Sequence, residues 1–312
     1  MSGNTRKMFR SLIVSGAYAI LRSKLLVESA PFNGPPILIL SYPRSGSSWV
    51  GKILSTSPTT AYLREPITQQ YIFKHGGRFA LIDIQNNPKA LSIYQKLSDE
   101  AFRGIPPRHP EVINNLRDFA YPQRKGKRIL IKEVNPRAVH FYYDRYRPKV
   151  VLLLRHPAAI ALSFYQLGWL DSSDVQMDTG NPKANAWEKF GYAYGTILHN
   201  AIEYLKSNGD HEIVVYRHLA EDPYNEYKKL FNKLDLKVPV NYDAVISKYC
   251  YSSKQSVPRA EIERTSRNMV FKWKEELSDK QIDDLYTGFL KSKLEYYRDA
   301  KEWDPSDSGA NS

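Results

Sequence analysis

A short apolar run followed by a turn of small and hydroxyl residues is the part of this sequence that most directly indicates chemistry. Residues Ile37–Ser41 predict a buried strand, and the turn up to Trp49 leads into a helix that we expect to begin at about Ser48. Such a turn directs backbone N–H groups at an anion, and the helix dipole favours negative charge there. We therefore predict a site for a phosphate-like group. The side chains that add donors are Arg44, Ser45, Ser47 and Ser48.

The same stretch also matches, by its letters, the phosphate loop of ATP- and GTP-hydrolysing proteins. Gly46 to Lys52 reads GxxxxGK, but the next residue is Ile53, which lacks the hydroxyl that would hold magnesium. In addition, Gly46 lies well beyond Leu40, where the apolar run ends, so Lys52 is expected a full turn inside the helix. The sequence therefore argues against a nucleotide kinase or hydrolase.

The loop S-Y-P-R-S-G-S-S-W resembles that of the sulfotransferases that use 3′-phosphoadenosine 5′-phosphosulfate (PAPS). Their loop reads P-[KR]-[ST]-G-[ST]-[ST], commonly followed by Trp or Leu. Arg44 fills the basic place, Gly46 the tight turn and Trp49 the last place. The resemblance implies an α/β, P-loop-like three-layer fold with a central parallel sheet and helices on both faces. It also implies PAPS as the donor and no metal, since Arg and hydroxyl groups can balance the leaving phosphate.

A second segment of the chain matches the same family. Val150–Leu154 predicts a buried parallel strand, and Arg155, Pro157 and Ser163 follow it. Pro157 suits the first position of a helix, and the planar fork of Arg can hold a phosphate in a bidentate way. In the family, an Arg, Pro and Ser at this spacing bind the 3′-phosphate of PAPS. The resemblance therefore assigns Arg155 and Ser163 to the donor.

The transfer of a sulfuryl group to a hydroxyl requires a general base, and Glu65 in Y-L-R-E-P is our first candidate. Tyrosylprotein and carbohydrate sulfotransferases carry a Glu at this place. The structural alternative for Glu65 is an ion pair with Arg64 or a charge at a helix N-terminus. Lys132, which ends the strand R-I-L-I-K-E-V, resembles the lysine that stabilises the moving sulfuryl group.

Other candidates for the base follow from the same strand and from the histidines. Glu133 is the alternative carboxylate. The cytosolic small-molecule sulfotransferases place a catalytic His two residues after the Lys, where this chain has Val134. This departure favours Glu65 and the carbohydrate- and tyrosylprotein-like branch. We expect His140 on a helix surface and His156 in a turn beside the 3′-phosphate.

Two later segments extend the resemblance. V-V-Y-R-H-L-A-E-D-P, which ends at Pro223, is similar to the family's strand in which a Tyr approaches the adenine; Tyr216 would do so here, although it would also serve as a core residue. E-I-E-R-T-S-R-N-M resembles the C-terminal loop that closes over PAPS. That similarity implies donor contacts from Thr265 and Arg267, with Lys272 as an additional charge.

Composition places bounds on the function. With 312 residues, the chain can form one large α/β domain, and a net charge of +12 implies an anionic partner. The absence of a zinc-ligand or recognition-helix pattern argues against sequence-specific binding of nucleic acid. The single cysteine, Cys250, fits a reducing compartment. We expect an N-terminal helical segment (1–34), one domain (35–303) and a disordered tail (304–312).

The N-terminal segment 9–26 has a basic start and an apolar stretch from Leu12 to Leu21, which is too short to span a bilayer. It predicts a helix that packs on the domain or makes peripheral contact with a membrane surface. Animal Golgi sulfotransferases usually carry a membrane anchor and cysteine pairs; without either, the sequence favours a cytoplasmic, bacterial enzyme.

Strands alternate with helices in the rest of the chain, which predicts a parallel sheet with helices on both faces. Residues 68–127 and 168–185 lack clear periodicity, and we expect them to form the acceptor pocket above the sheet. The expected acceptor is a carbohydrate or glycolipid hydroxyl; a phenol, a tyrosyl group or a small alcohol remains open, as does a non-catalytic anion-binding protein. The predicted strands are Ile37–Ser41, Thr60–Leu63, Arg128–Lys132, Val150–Leu154 and Glu212–Tyr216. The predicted helices are Ser48–Ser55, Ala158–Gln166, Ala186–Lys206, Tyr224–Leu234 and Lys280–Tyr297.

Overall fold

The computed structural model describes residues 16–75, 81–107, 111–251 and 268–306. Within them, parallel strands form a five-stranded sheet in the order β2-β3-β1-β4-β5. The predicted α/β fold with a central parallel sheet is confirmed. The strands are β1 (Ile37–Ser41), β2 (Thr60–Arg64), β3 (Arg128–Glu133), β4 (Lys149–Leu154) and β5 (His211–Val215).

Helices connect the strands and cover both faces of the sheet. The N-terminal half of the described chain contains α1 (Lys24–Ser29), α2 (Ser47–Leu54), α3 (Thr68–His75), α4 (Pro88–Phe102), α5 (Val139–Tyr146) and α6 (Pro157–Gln166). The C-terminal half contains α7 (Ala186–Asn208), α8 (Tyr216–Glu221), α9 (Pro223–Lys233), α10 (Tyr242–Ile246), α11 (Asn268–Glu276) and α12 (Asp279–Leu290). Short 3-10 turns lie at Leu116–Phe119, Gln123–Gly126, Pro136–Ala138, Ser173–Val175 and Ala300–Trp303, and a π-helical turn at Ser247–Tyr251.

The central strand β1 pairs with β3 on one side and with β4 on the other. Leu40, near its end, is in register with Glu133 and with Leu152. The carboxyl ends of β3, β1 and β4 therefore lie side by side at one edge of the sheet. The strand order changes direction at β1, with β2 and β3 on one side of it and β4 and β5 on the other. Ligands of open α/β sheets bind in this crevice.

Alternation along β1 divides the core into two layers. Leu38 and Leu40 belong to a cluster with apolar residues of α4 to α7 and α12. Ile37 and Ile39 belong to a second cluster with α2, α8 and α9. All five residues of β1 are buried, as expected for a central parallel strand covered on both faces.

Several predicted boundaries, and one stretch predicted to lack periodicity, differ from the structure. β5 ends at Val215 because Tyr216 already begins helix α8. The predicted helix 280–297 ends at Leu290, where the guanidinium group of Arg298 donates to the carbonyl oxygens of Leu290 (3.2 Å) and Ser292 (2.8 Å). A side chain thus satisfies carbonyl groups at the end of α12 that a longer helix would have used itself. The stretch 68–127 is not irregular, since it contains α3 and α4.

Arg124 is a buried cation that joins three segments of the chain. Its guanidinium group donates to the carbonyl oxygens of Ala30 (2.5 Å), Gly104 (2.7 Å) and Arg103, and it lies 4.2 Å from the ring centre of Phe32. Burial lowers the pKa of Arg124 to about 10, and the nearby Arg103 adds to this effect. The carbonyls follow the ends of α1 and α4, where the helix dipoles are negative.

The described part of the N-terminal segment packs on the domain. Residues 16–21 are helical, Leu21 and Val27 are buried, and Arg22 forms an ion pair with Glu100 at 2.8 Å. The exposed residues include Ile20 and Leu25. Residues 1–15, which contain only the first part of the predicted apolar stretch, lie outside the described residues, as do 307–312 of the predicted tail. Among the helices that the structure describes, none combines the length and apolar character needed to cross a membrane.

Candidate active site

The loop between β1 and α2 contains a tight turn and a buried hydroxyl that no described residue pairs. Gly46 has a φ of +90° and caps α2, which begins at Ser47. The hydroxyl group of Ser41 donates to Ser47 Oγ at 2.8 Å. The side chain of Ser45 is completely buried, and its Oγ has no hydrogen-bond partner in the described part of the chain. Because buried polar groups are normally paired, this hydroxyl is suited to a ligand oxygen.

Gly46 is required at its position for two reasons. Its positive φ suits glycine far better than other residues. A Cβ atom built on Gly46 would lie 2.6 Å from a ring carbon of Tyr216, which is itself buried. Tyr216 therefore packs directly against the loop between β1 and α2 (residues 42–46), which we call the anion loop because of its predicted role.

Aromatic rings extend this contact beyond the loop. The centre of the Trp49 ring lies 5.4 Å from that of Tyr216 and 5.3 Å from that of Tyr227. The indole N–H of Trp49 donates to the carbonyl oxygen of Tyr249 at 3.0 Å, in the π-helical turn. Trp49 is thus held in one orientation at the start of α2, beside Tyr216 at the start of the helix that follows β5.

The two predicted donor segments are joined by direct hydrogen bonds. Arg44 Nε donates to Ser163 Oγ at 2.8 Å, and Arg155 donates to the carbonyl oxygen of Arg44 at 3.1 Å. Arg155 also donates to the carbonyl oxygen of Met269 at 2.8 Å, and its guanidinium carbon lies 4.5 Å from the ring centre of Tyr216. The structure therefore brings Arg44, Arg155, Ser163 and Tyr216 together at the carboxyl ends of β1 and β4.

His156 has a structural position beside this cluster. Its Nδ1 accepts a hydrogen bond from the backbone N–H of Ala158 at 3.2 Å and so caps α6. Its ring stacks on Trp273 with centres 4.5 Å apart. Burial lowers the pKa of His156 to about 3, with smaller effects from the positive charges of Lys274 and Arg155. His156 is therefore neutral near pH 7 and serves as a cap. His140 lies on α5, partly exposed, with its ring near that of Tyr204.

Glu65 and Lys132 contact each other through both backbone and side chain. The backbone N–H of Glu65, which has a φ of +49°, donates to the carbonyl oxygen of Lys132 at 2.6 Å. The Glu65 carboxylate forms an ion pair with the ammonium group of Lys132 and accepts a hydrogen bond from Gln69 at 2.9 Å. The ion pair of Glu65 is therefore with Lys132 and not with Arg64, which the sequence had suggested as its partner in a purely structural role.

This environment favours the ionised form of Glu65. Burial alone would raise the pKa of its carboxyl group, but the Lys132 charge and the hydrogen bonds from Lys132 and Gln69 outweigh burial. The pKa of Glu65 therefore lies below its ordinary value. A carboxylate that is ionised at neutral pH can accept a proton from a hydroxyl group.

The carboxylate of Glu133 accepts hydrogen bonds from residues at the start of α3. Its Oε1 accepts from the backbone N–H groups of Ile67 (2.7 Å) and Thr68 (3.3 Å), and its Oε2 accepts from the Thr68 hydroxyl at 2.6 Å. Glu133 is fully buried, and burial raises its pKa to about 7. Both of its oxygens are therefore occupied by protein donors.

The remaining predicted residues fall outside this cluster. Thr265 and Arg267 lie in 252–267, outside the described residues. Lys272 forms an ion pair with Glu276 at 2.7 Å. Sequence reasoning missed Gln69, Tyr227 and Tyr249; only Gln69, four residues after Glu65 in a region that forms a helix, had a local signal.

Comparison with known proteins identifies the family of this chain. A family model described as "Sulfotransferase domain" matches residues 34–295. No curated protein sequence matches significantly.

The solved structures to which this chain is similar include several sulfotransferases. The sulfotransferase domain of the olefin synthase from Synechococcus PCC 7002 is 18% identical, with a TM-score of 0.49 and coverage of 82% of this chain and 95% of that one. Mouse sulfotransferase SULT7A1, solved in complex with PAP, is 15% identical, with a TM-score of 0.44 and coverage of 88% and 91%. A sulfotransferase from Alicyclobacillus acidocaldarius is 15% identical, with a TM-score of 0.45 and coverage of 86% and 98%.

The family match includes both strand ends that carry Arg44 and Arg155 as well as Glu65 and Lys132. The chain therefore belongs to the sulfotransferase family and is a transferase.

Proposed function

We propose that this enzyme moves a sulfuryl group from PAPS to an acceptor hydroxyl. The observation that carries the proposal is the hydrogen-bonded link between Arg44 and Ser163, with Arg155 bound to the Arg44 carbonyl. These contacts hold two phosphate-type sites at the ends of adjacent strands β1 and β4. A donor with phosphate groups at both its 3′ and 5′ positions fits this pair of sites better than a nucleotide with a single phosphate chain.

The residues of the loop fit the 5′-phosphosulfate. Three groups supply donors: the Ser45 hydroxyl, which no described residue pairs, the start of α2 at Ser47, and the partly exposed Ser48. Trp49 and Tyr216 supply aromatic surface beside the loop, and we assign them to the adenine end of the donor. We also retain Thr265 and Arg267 as donor contacts, on the resemblance of their sequence alone.

In the proposed reaction the acceptor oxygen attacks sulfur, and the bond from sulfur to the leaving phosphate oxygen breaks. The proton of the acceptor hydroxyl passes to the carboxylate of Glu65. Adenosine 3′,5′-bisphosphate leaves with the electron pair of the broken bond. Lys132 and Arg44 offset the charge on the transferred group and on the leaving phosphate.

We propose a carbohydrate or glycolipid hydroxyl as the acceptor, which corresponds to the branch with a Glu base. In support, the ring of Tyr165, which is 54% exposed, lies 5.3 Å from that of Trp187, beside the stretch 168–185. Exposed aromatic faces suit the apolar faces of sugar rings. We also propose a cytoplasmic location, because the one cysteine of the chain, Cys250, is buried as a free thiol.

Donor use is tested by the thermal shift of the purified protein. Adenosine 3′,5′-bisphosphate is expected to raise Tm progressively as its concentration is raised above Kd, while ATP with magnesium is not. The reverse result would overturn the donor assignment. A sulfotransfer assay with PAPS and a panel of glycans, glycolipids, phenols and tyrosyl peptides then tests the acceptor. Turnover confined to phenols or peptides would overturn the carbohydrate assignment while leaving the donor assignment intact.

A further inference from the structure

Arg64, the last residue of β2, lies beside Lys132. The two residues are in register, and neighbouring strands lie roughly 4.8 Å apart. The preceding register pair on the same face of the sheet, Tyr62 and Leu130, belongs to the core layer that contains α2. Because side chains alternate along a strand, Arg64 and Lys132 also project toward the face that α2 covers.

The helix α2 indicates how far along this face Arg64 lies. A Cβ atom on Gly51 would meet the hydroxyl of Tyr62 at 2.3 Å, so Tyr62 lies at the level of the middle of α2. Arg64 is two residues nearer the carboxyl edge, which is the edge where α2 begins. The Arg64 side chain is therefore placed on the same side of the sheet as the anion loop, next to Lys132.

The charges at this point do not balance. Lys132 and Arg64 bring two positive charges, and Glu65 brings one negative charge that is already paired with Lys132. Within the ranges that the structure describes, Arg64 forms no ion pair or hydrogen bond through its side chain, and its Nε is buried without a partner. A buried donor without an acceptor is costly, so a bound anion would stabilise this arrangement.

We propose that Arg64 binds the sulfuryl group of the donor, together with Lys132. This inference rests on the proposed function and deepens it by adding a second cation to the transfer site. The charge of the sulfuryl group suits this place, because the group carries one negative charge and Lys132, Arg64 and Glu65 together carry one excess positive charge. The group also matches in location, because Arg64 lies beside the residue assigned to that group and beside the proposed base.

The experiment compares two ligands that differ only in the sulfuryl group. The dissociation constants of PAPS and of adenosine 3′,5′-bisphosphate are measured by calorimetry for the wild type, Arg64→Met and Arg64→Lys. A lost charge-assisted hydrogen bond predicts that Arg64→Met weakens PAPS binding by about tenfold or more, with the bisphosphate affinity unchanged within about twofold. Arg64→Lys should retain part of the PAPS affinity. The matched control is Arg117→Met, an exposed guanidinium in the turn that packs beside β2.

Each other outcome would overturn the inference. Equal losses for both ligands would assign Arg64 to the phosphates or, with a lowered Tm, to structure. Unchanged binding of PAPS with a higher KM only for acidic acceptors would assign Arg64 to the acceptor. No change in any constant would remove it from the site. If the wild type bound neither ligand, the proposed function itself would fail, which is a different result.

Discussion

The backbone N–H of Glu65 donates to the carbonyl oxygen of Lys132 at 2.6 Å, while the side chains of the same two residues form an ion pair. Lys132 therefore fixes the position of the proposed base, Glu65, and also neutralises its negative charge. The left-handed backbone of Glu65, with a φ of +49°, costs on the order of 1 kcal/mol or more, which these contacts offset.

Glu65→Gln is expected to lower kcat by about a hundredfold to ten-thousandfold, because an amide cannot accept the acceptor proton. The affinity for adenosine 3′,5′-bisphosphate should stay nearly unchanged, since Glu65 is not assigned to that ligand. Steady-state kinetics and calorimetry measure the two quantities. The control is Glu226→Gln, a surface position on α9. Near-normal turnover would remove Glu65 from the role of base.

Glu133 predicts a pH dependence of stability. Its pKa is about 7 in the folded protein against an ordinary value of 4.5, so the folded state holds a proton that the unfolded state releases in this range. The resulting stability is present below pH 4.5 and is lost as the pH rises through about 7. Urea unfolding at pH 5 and pH 8 should therefore show a smaller loss of unfolding free energy on going to pH 8 in Glu133→Gln than in the wild type. An identical loss in the two proteins would contradict this assignment.

Gly46→Ala is expected to impair the anion loop. The added methyl group would meet the Tyr216 ring at 2.6 Å, and a positive φ in a residue other than glycine costs roughly 1 kcal/mol. We expect a lower Tm and a loss of bisphosphate binding in a thermal-shift titration. In the double variant Gly46→Ala/Tyr216→Ala, the steric part of the loss should be relieved. A double variant no more stable than the sum of the two single changes would rule out the contact as the cause.

Arg155→Lys tests the 3′-phosphate site. A lysine keeps the charge but not the fork that reaches the carbonyl oxygens of Arg44 and Met269. The affinity for adenosine 3′,5′-bisphosphate should fall by roughly tenfold, as for one charge-assisted hydrogen bond. The affinity for adenosine 5′-monophosphate, which lacks the 3′-phosphate, should change much less. Arg147→Lys, an exposed position at the end of α5, is the control. Equal losses for both nucleotides would place Arg155 elsewhere.

Arg124→Met is expected to destabilise the fold without altering chemistry. The change leaves the carbonyl oxygens of Ala30, Gly104 and Arg103 without their donor, at about 1–3 kcal/mol for each buried group. Urea unfolding should show a loss of several kcal/mol, whereas the exposed neighbour Lys125→Met should have little effect. A loss of unfolding free energy smaller than the cost of one unpaired carbonyl group would show that water takes the place of the guanidinium group.

The sequence allowed the strand, turn and helix start to be predicted both after β1 and after β4, because each is a local pattern; the binding roles assigned to them remain predictions. It could not show that Tyr216 would pack against Gly46, since that contact joins distant elements. The role of Glu133 was also inaccessible, because it depends on the pairing of β2 with β3, which brings Ile67 and Thr68 to the carboxylate. The predicted helix 280–297 was too long because Arg298, beyond its end, competes for the carbonyl groups.

The contact between Arg44 and Ser163 joins residues 119 positions apart, and Tyr216 completes the same cluster from still later in the chain. During synthesis, therefore, a nascent chain cannot form the proposed donor site until β5 and Tyr216 have emerged from the ribosome. Truncated products that end before this point would be unable to sequester the nucleotide. A bound donor would consequently stabilise only chains that extend past Tyr216.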